Sequence, residues 1–168
     1  MFQTKSENIS EVNFFYRHKL KVPFKKDLFE QKAIYLISVI GKNEHKTLRE
    51  INVSFCSDKQ ILRYNSKFLS HNYYTDIITF SYPEKKYIDS DIVISLDSVK
   101  NNANSYGISF RKELFRVMIH GILHLCGYND IDKRDKLIMK KKEDHYLNYL
   151  KQKKQKIIKL DEQIFSNS

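Results

Sequence analysis

Two histidines and an aspartate stand close together in the segment HGILHLCGYND, residues 120–130. His120 and His124 are four positions apart, so on a helix their imidazoles project from the same side and can reach one ion. Gly127 permits a sharp reversal that can bring the carboxylate of Asp130 back toward them. Two histidines and one carboxylate, with a fourth position open to water, are typical of a catalytic zinc site. The segment therefore predicts a metal centre.

Each of these residues also has a simpler interpretation. Histidines on a helix are often just partly buried polar groups, and Asp130 could cap a helix. Asp132 is the better placed cap for the helix that follows, which leaves Asp130 without an obvious structural role. We therefore favour His120, His124 and Asp130 as the metal ligands.

Four further positions bear on the ligand set and its chemistry. His71 and His145 remain open as third ligands, whereas Cys126 is expected on the apolar side of the helix. Zinc peptidases with the HExxH motif carry a glutamate after the first histidine as general base, and this chain has Gly121 there. Peptide hydrolysis by that route is disfavoured, and a metallopeptidase is the least favoured alternative.

The elements that must position these side chains are strands mixed with helices. A long helix from about Ser109 to Cys126 must carry both histidines, and Gly127 is expected to end it. The mixture favours an α+β or mixed α/β fold with one sheet covered by helices. We predict strands at 11–17, 48–56, 76–82 and 91–96, and helices at 27–39, 57–69, 97–106, 109–126 and 132–150.

The composition indicates one globular domain. The chain has 168 residues, 41% of them hydrophobic, with four glycines and two prolines, which excludes collagen-like, low-complexity and wholly disordered classes. The start lacks the apolar core of a secretory signal, and no run approaches the roughly 20 apolar residues of a membrane span. Cys56 and Cys126 lack paired spacing and are interpreted as reduced core thiols. These features predict a cytoplasmic protein that does not cross a membrane.

Positive charge is concentrated near the end of the chain. The formal net charge is +10, and residues 133–159 hold eleven Lys or Arg against three acids, a net of +8. A basic surface attracts polyanions, and nucleic-acid phosphate is the commonest of these for such a protein. A solvated helix face explains the same charges equally well. Residues 151–168 are polar and Lys-rich, and we expect them to form a frayed tail.

Taken together, these motifs resemble those of the YbeY family. The family's metal motif, HGxLHLxGYDH, is met in residues 120–130 at seven positions, and residues 75–80, TDIITF, are similar to its TDVLSF segment. Asp91 and the isoleucine after it match the end of the family's GDI segment. Asn65 stands where the family has a helix asparagine. The resemblance covers roughly residues 45–150.

YbeY proteins are bacterial metal-dependent endoribonucleases that mature ribosomal RNA. The resemblance implies an α+β fold with a small mixed sheet packed by helices, and one zinc ion held on a central helix and the turn after it. Together with the length of the chain, it predicts that residues 1–150 form a single metallohydrolase domain. The resemblance implies a single-strand-specific endoribonuclease of 16S rRNA maturation whose partners are ribosomal RNA and ribosomal subunits. The alternative is a non-catalytic, metal-containing ribosome-assembly or RNA-binding factor.

This chain departs from the family pattern at three positions. Asp130 replaces the histidine that is common at the last position of the metal motif, and an aspartate remains a chemically reasonable ligand. The family's functionally important arginine falls on Leu69, so a phosphate-clamping role cannot be transferred; Lys67 or His71 is the candidate substitute. Ser90 replaces the glycine before the aspartate of the GDI segment.

Several other side chains are candidates for the cleft or for RNA contacts. Thr75, Asp76 and Asp91 could line the cleft, although hydrogen bonds that fix a helix-to-strand corner explain the first two equally well, and Asp91 has a similar structural alternative. Unpaired bases stack on aromatic rings, but aromatic residues beside a strand more often belong to the core. The aromatic candidates are Tyr73, Tyr74 and Tyr128, and the candidates to orient a ligand or bind phosphate are Glu113 and Arg116.

Overall fold

The protein has an α+β fold with one small sheet. The structure, a computed structural model, describes residues 9–17, 20–69, 73–84 and 86–166. The strands are β1 (Ile9–Tyr16), β2 (Leu48–Cys56), β3 (Ile77–Pro83) and β4 (Ile88–Ser95). The helices are α1 (Lys26–Asn43), α2 (Asp58–Leu69), α3 (Leu96–Ser105), α4 (Phe110–Leu125) and α5 (Lys133–Ser166). The predicted order of strands and helices and the predicted fold class are confirmed.

The four strands form a mixed sheet in the order β1-β2-β4-β3. β2 lies between β1 and β4 and is parallel to both, whereas β3 pairs antiparallel with β4 and forms one edge. Alternate residues of a strand face opposite sides of a sheet. In β2 this alternation buries Ile51, Val53 and Phe55 in the main core, together with residues of α1 and α4. α4, which carries both histidines, therefore packs on one face of the sheet.

α4 begins and ends where its sequence signals predict. The Ser109 hydroxyl accepts a hydrogen bond from the backbone amide of Lys112 at 3.3 Å, which caps the start of the helix. At the other end Gly127 has a φ of +100°, which glycine adopts more readily than other residues. Its amide donates to the carbonyl of His124, and the next amide donates to that of Leu123, so the helix closes in a Schellman motif.

α5 is longer than predicted. Its start is confirmed, because the carboxylate of Asp132 accepts a hydrogen bond from the amide of Asp135 at 2.8 Å. The predicted end near Leu150 is wrong, and residues 151–166 continue the helix instead of fraying. No glycine or proline follows Gly127, and lysine, glutamine and leucine favour helix. The division into a domain of residues 1–150 and a tail of residues 151–168 stays a prediction.

No helix in the described ranges has the length and apolar character needed to cross a bilayer.

Candidate metal centre

The structure brings together the side chains of His120, His124 and Asp130. The two Nε2 atoms are 3.0 Å apart, and the Asp130 carboxylate oxygens lie 3.6 Å from Nε2 of His120 and 3.9 Å from Nε2 of His124. One ligand atom from each residue lies within 4.8 Å of the other two. Within the described ranges this is the one group of three His, Cys, Asp or Glu that could hold a metal ion.

Both imidazoles are oriented through their other ring nitrogen. Nδ1 of His120 lies 2.8 Å from Oε1 of Glu143, and Nδ1 of His124 lies 2.9 Å from the backbone carbonyl oxygen of Tyr128. A carbonyl and an ionised carboxylate only accept hydrogen bonds, so each Nδ1 carries the proton and donates it. In the neutral rings both Nε2 atoms therefore present a lone pair toward the same point.

This arrangement fits a bound cation. Two lone pairs that face each other at 3.0 Å repel, and a cation between them removes the repulsion. Tetrahedral zinc, with metal–nitrogen bonds of about 2.0 Å, separates its nitrogen ligands by about 3.3 Å. The Asp130 carboxylate adds a negative oxygen at a similar separation from both nitrogens. Two nitrogens and one oxygen thus form a donor set of the kind that catalytic zinc sites use.

The three candidate ligands line a cleft of about 560 Å³. Thr75 and Asp76 line it at the corner that leads from α2 to β3. Asn65, whose side chain is almost fully buried, donates to the carbonyl of Tyr73 at 2.8 Å and so holds this corner. The other lining residues that carry polar groups are Tyr73, Thr79 and Ser81.

A cluster of charged side chains lies next to His120. Arg116 donates to both oxygens of Glu113, at 2.7 and 2.8 Å, and to Glu143 at 3.3 Å. The Glu113 side chain is fully buried, and its hydrogen bonds raise the pKa of the Arg116 guanidinium. Arg116 is thus paired with carboxylates and fixes Glu143, the partner of His120. Of its two predicted roles, the geometry supports orienting a ligand, and phosphate binding has no support.

Asp76 is held between this cluster and the cleft. One carboxylate oxygen accepts from the Asn102 amide at 3.0 Å, and Arg116 lies 3.8 Å away. Burial raises the pKa of the Asp76 carboxyl, and the charges of Arg116 and His120 oppose that rise. Asp76 therefore adds a second carboxyl group to the cleft wall, beside the candidate ligands.

Gly121 lies where α4 and β3 are closest. A Cβ atom on Gly121 would stand 2.5 Å from Cδ1 of Ile77 and 3.2 Å from Oγ1 of Thr79. A glutamate at this position would therefore point into the strand. The HExxH arrangement of zinc peptidases does not fit this helix and strand, in agreement with the sequence.

Two of the remaining predicted residues, Asp91 and Lys67, lie apart from the three candidate ligands. Asp91 is on the other face of the sheet, where its carboxylate accepts from Asn52 at 3.1 Å and from the hydroxyl of Tyr82 at 3.3 Å. It lines a second cavity, of about 720 Å³, that shares no lining residue with the first. Lys67 is exposed on α2, with Nζ 5.1 Å from the ring centroid of Phe68, and is not among the residues that line the cleft. His71 lies outside the described residues.

Tyr128, a candidate RNA contact, and His145, a candidate third ligand, have structural contacts instead. The Tyr128 hydroxyl donates to Glu44 at 2.7 Å, so the ring is engaged away from the cleft lining. His145 packs edge-on against Tyr146 and Tyr149 on α5 and is not part of the metal cluster. Cys126 is buried and unpaired, and burial raises the pKa of its thiol to about 12. The exclusion of Cys126 as a ligand therefore agrees with its position.

Two carboxylates near the site were not predicted. Glu143 contacts His120 from another helix, and Glu44 contacts Tyr128 from a position 84 residues away. The sequence does contain an indication that Glu143 has a partner, because this glutamate lies on the buried face of α5. A glutamate between Met139 and Tyr146 on one helix face is unusual in a core unless it has a partner. Glu44 follows a helix end, and nothing comparable in the sequence indicates its contacts.

Comparisons with known proteins cover most of the chain. The family model described as Endoribonuclease YbeY matches residues 16–151, a range that includes all three candidate ligands. The Endoribonuclease YbeY of Karelsulcia muelleri (strain GWSS) is 40% identical over 142 residues, 84% of this chain and 97% of the relative. That of Bacteroides thetaiotaomicron is 42% identical over 121 residues, 72% of this chain and 88% of the relative. The solution structure of TM1509 from Thermotoga maritima has a TM-score of 0.58 at 26% identity, covering 82% of this chain and 87% of that one.

Proposed function

Because the chain belongs to the YbeY family of endoribonucleases, we propose that it is a zinc-dependent enzyme that cuts single-stranded RNA, with His120, His124 and Asp130 as the metal ligands. We place this activity in the maturation of 16S ribosomal RNA in the cytoplasm, with ribosomal subunits as partners. The observation that carries the proposal is the convergence of two Nε2 atoms and a carboxylate beside an open cleft in a member of an RNA-cutting family.

The residues of this chain prepare the site for the ion. Glu143 and the Tyr128 carbonyl keep the proton of each imidazole on Nδ1, so Nε2 is free to act as a ligand. Asp130 neutralises part of the charge of a divalent cation. When bound, zinc supplies Lewis acidity, which polarises a phosphoryl oxygen and lowers the pKa of a water molecule.

The surroundings of the cleft suit an unpaired RNA strand. Tyr73 lines the cleft, and Tyr74 is the next residue in the chain. These two residues are 58% and 63% exposed. Aromatic rings at a cleft mouth can stack on unpaired bases, whereas bases inside a duplex are already stacked on one another. This arrangement supports the preference for single strands.

Positive charge begins directly after the metal ligands. α5 starts three residues beyond Asp130, and its first turns expose basic side chains that attract phosphate. These basic side chains can therefore hold phosphates of the RNA backbone near the cleft, although the family's arginine is replaced by Leu69. The exposed basic residues are Lys133, Arg134, Lys136, Lys140 and Lys141.

The proposal is tested by RNA cleavage with His124→Ala and the control His145→Ala. His124 is a proposed ligand, whereas His145 is an exposed histidine on α5 outside the cluster. We expect His124→Ala to lower the cleavage rate of a single-stranded oligonucleotide at least about 100-fold, because loss of a ligand should exceed the roughly 10–100-fold effect of residues that only support ligands. His145→Ala should keep the wild-type rate, and a duplex of the same sequence should be cut slowly by all three proteins.

A cleavage rate that survives His124→Ala unchanged would assign the activity to a contaminating nuclease. The protein would then be better described as a non-catalytic RNA-binding assembly factor. Metal analysis of the purified wild-type chain, performed on the same preparation, identifies the ion that accompanies the activity.

A further inference from the structure

One carboxylate joins the end of α1 to the metal-bearing part of the chain. Glu44, at the C-cap of α1, accepts hydrogen bonds from the hydroxyl of Tyr128 at 2.7 Å and from Nζ of Lys142 at 2.8 Å. The hydroxyl of Tyr146 donates to the same carboxylate. The Glu44 side chain is only 9% exposed. Three donors from the turn after α4 and from α5 thus converge on one buried group that the proposed reaction does not use.

The backbone that carries Glu44 is held in a tight helix end. The amide of Lys46 donates to the carbonyl of Gly41 at 2.9 Å, and the amide of His45 donates to that of Lys42 at 3.3 Å, so α1 ends in a Schellman motif. His45 occupies the left-handed position of the motif with a φ of 54°, which is unfavourable for a residue with a Cβ atom. The position of Glu44 is therefore set by a tight helix end and does not depend on a flexible loop.

Tyr128 links Glu44 to one metal ligand, His124. Its hydroxyl is bound to Glu44, and its backbone carbonyl accepts the Nδ1 proton of His124 at 2.9 Å. Asp130 follows two residues later in the same turn. A shift of the Tyr128 ring would therefore move both the partner of His124 and the start of the segment that delivers Asp130.

A second connection runs through α5 to the other histidine. Lys142 is bound to Glu44 and lies 5.0 Å from the centroid of the Tyr128 ring. Its neighbour Glu143 holds Nδ1 of His120 at 2.8 Å. The partners of both imidazoles are thus connected to the same carboxylate of α1.

We propose that Glu44 is a positioning residue of the metal centre, which fixes the Tyr128 turn and the start of α5 so that the three ligands converge. The inference rests on the proposed metal site. Glu44 touches neither the ion nor the substrate, and its effect is exerted through Tyr128 and Lys142.

The charge of Glu44 is consistent with this task. Burial would raise the pKa of its carboxyl, but the hydrogen bonds from Lys142, Tyr146 and Tyr128 outweigh burial and hold the pKa below its ordinary value. Burial raises the pKa of the Tyr128 and Tyr146 hydroxyls, and the hydrogen bonds to the Glu44 carboxylate raise it further. Both tyrosines therefore stay protonated donors, and Glu44 stays an ionised acceptor at neutral pH.

The experiment measures metal binding by the full-length apo-protein and does not use RNA. Zinc affinity is obtained by competition with a chromophoric chelator, and the visible absorption of the cobalt-loaded protein reports the ligand geometry. We expect Glu44→Ala to weaken zinc binding about tenfold or more, within the range known for residues that support metal ligands, and to alter the cobalt spectrum.

Glu30→Ala is the matched control. Glu30 lies on α1 and, like Glu44, accepts a hydrogen bond from a tyrosine hydroxyl, but its donor is Tyr16 of β1, at 2.8 Å, and not a residue of the metal turn or of α5. We expect Glu30→Ala to lower the melting temperature without changing zinc affinity or the cobalt spectrum. The comparison separates the loss of a tyrosine–carboxylate pair from the loss of ligand positioning.

Tyr128→Phe provides a second, milder variant. It removes the hydroxyl and keeps the carbonyl that holds His124, so the fold is expected to survive. It should weaken zinc binding in the same direction, and the double variant with Glu44→Ala should be less than additive because both act through one contact. If Glu44→Ala does not fold, Tyr128→Phe decides the question.

The outcomes separate this inference from the proposed function. If the wild-type protein binds neither zinc nor cobalt, the metal site itself is wrong and Glu44 has nothing to position. If the wild-type protein binds zinc and both variants keep its affinity and spectrum, Glu44 is only a structural residue and the inference is overturned, whereas the metal site stands.

Discussion

The two histidines of the metal centre are held by different kinds of partner. Nδ1 of His120 donates to the carboxylate of Glu143, which lies 23 residues away on α5. Nδ1 of His124 donates to a backbone carbonyl four residues further along the chain. A carboxylate partner is charged and makes the imidazole a stronger ligand, whereas a carbonyl is neutral. His120 therefore depends on the packing of another helix, and His124 depends on a local turn.

The surroundings of the two partners differ in the same way. Glu143 is 6% exposed and shares Arg116 with the fully buried Glu113, so the His120 side contains a buried set of charges. The His124 side is fixed by backbone hydrogen bonds around Gly127. The His120 side should therefore be sensitive to loss of charge, and the His124 side to changes in backbone conformation.

The largest expected effect comes from removing the guanidinium group of Arg116, which supplies the positive charge on the His120 side. Arg116→Ala leaves Glu113 and Glu143 without their shared partner, and an uncompensated buried charge costs about 3–5 kcal/mol. The free energy of unfolding, measured with urea, should fall by that amount. The control is Arg49→Ala, which breaks the more exposed pair with Asp89 and should lower the free energy of unfolding much less, because solvent screens that pair. If the two variants lost the same free energy of unfolding, burial would not make the charge of Arg116 more important than that of Arg49.

A smaller effect is expected on the His124 side from Gly127→Ala. Gly127 has a φ of +100°, and a residue with a Cβ atom in the left-handed region costs about 1–2 kcal/mol. The control is Gly107→Ala, at φ +62° after α3, where an added Cβ meets nothing within 4 Å. Both variants should lose stability, but only Gly127→Ala should also weaken zinc binding, because its turn carries Asp130. Zinc affinity that is equal in the two variants would contradict the role of this turn.

The two sides also differ in how well the sequence predicted them. The spacing of His120 and His124, the glycine after α4 and the arrival of Asp130 are all encoded within eleven residues. Such local relations follow from helix geometry and from the conformational freedom of glycine. The capping by Asp132 was predictable for the same reason.

The His120 side was not predicted because its contacts are not local. Glu143 reaches His120 only when α5 packs against α4, and no spacing rule fixes which residues of two helices meet. Similarly, the sequence of β4 does not indicate which face of the sheet carries the cleft, and Asp91 lies on the opposite face. The end of α5 was misplaced because a charged segment without glycine or proline is compatible with both a tail and a helix.

The smallest effect isolates the charge of the His120 partner. Glu143→Gln keeps an oxygen that can accept from Nδ1 but removes the negative charge, which makes the partner of His120 neutral like that of His124. We expect zinc affinity to fall by about tenfold, at the lower end of the range for residues that support metal ligands. Asp144→Asn, at the exposed neighbouring position of α5, removes the same charge without contact to a ligand and should leave the affinity unchanged. If Glu143→Gln also binds zinc as the wild type does, geometry alone holds His120, and the two histidines are held in equivalent ways.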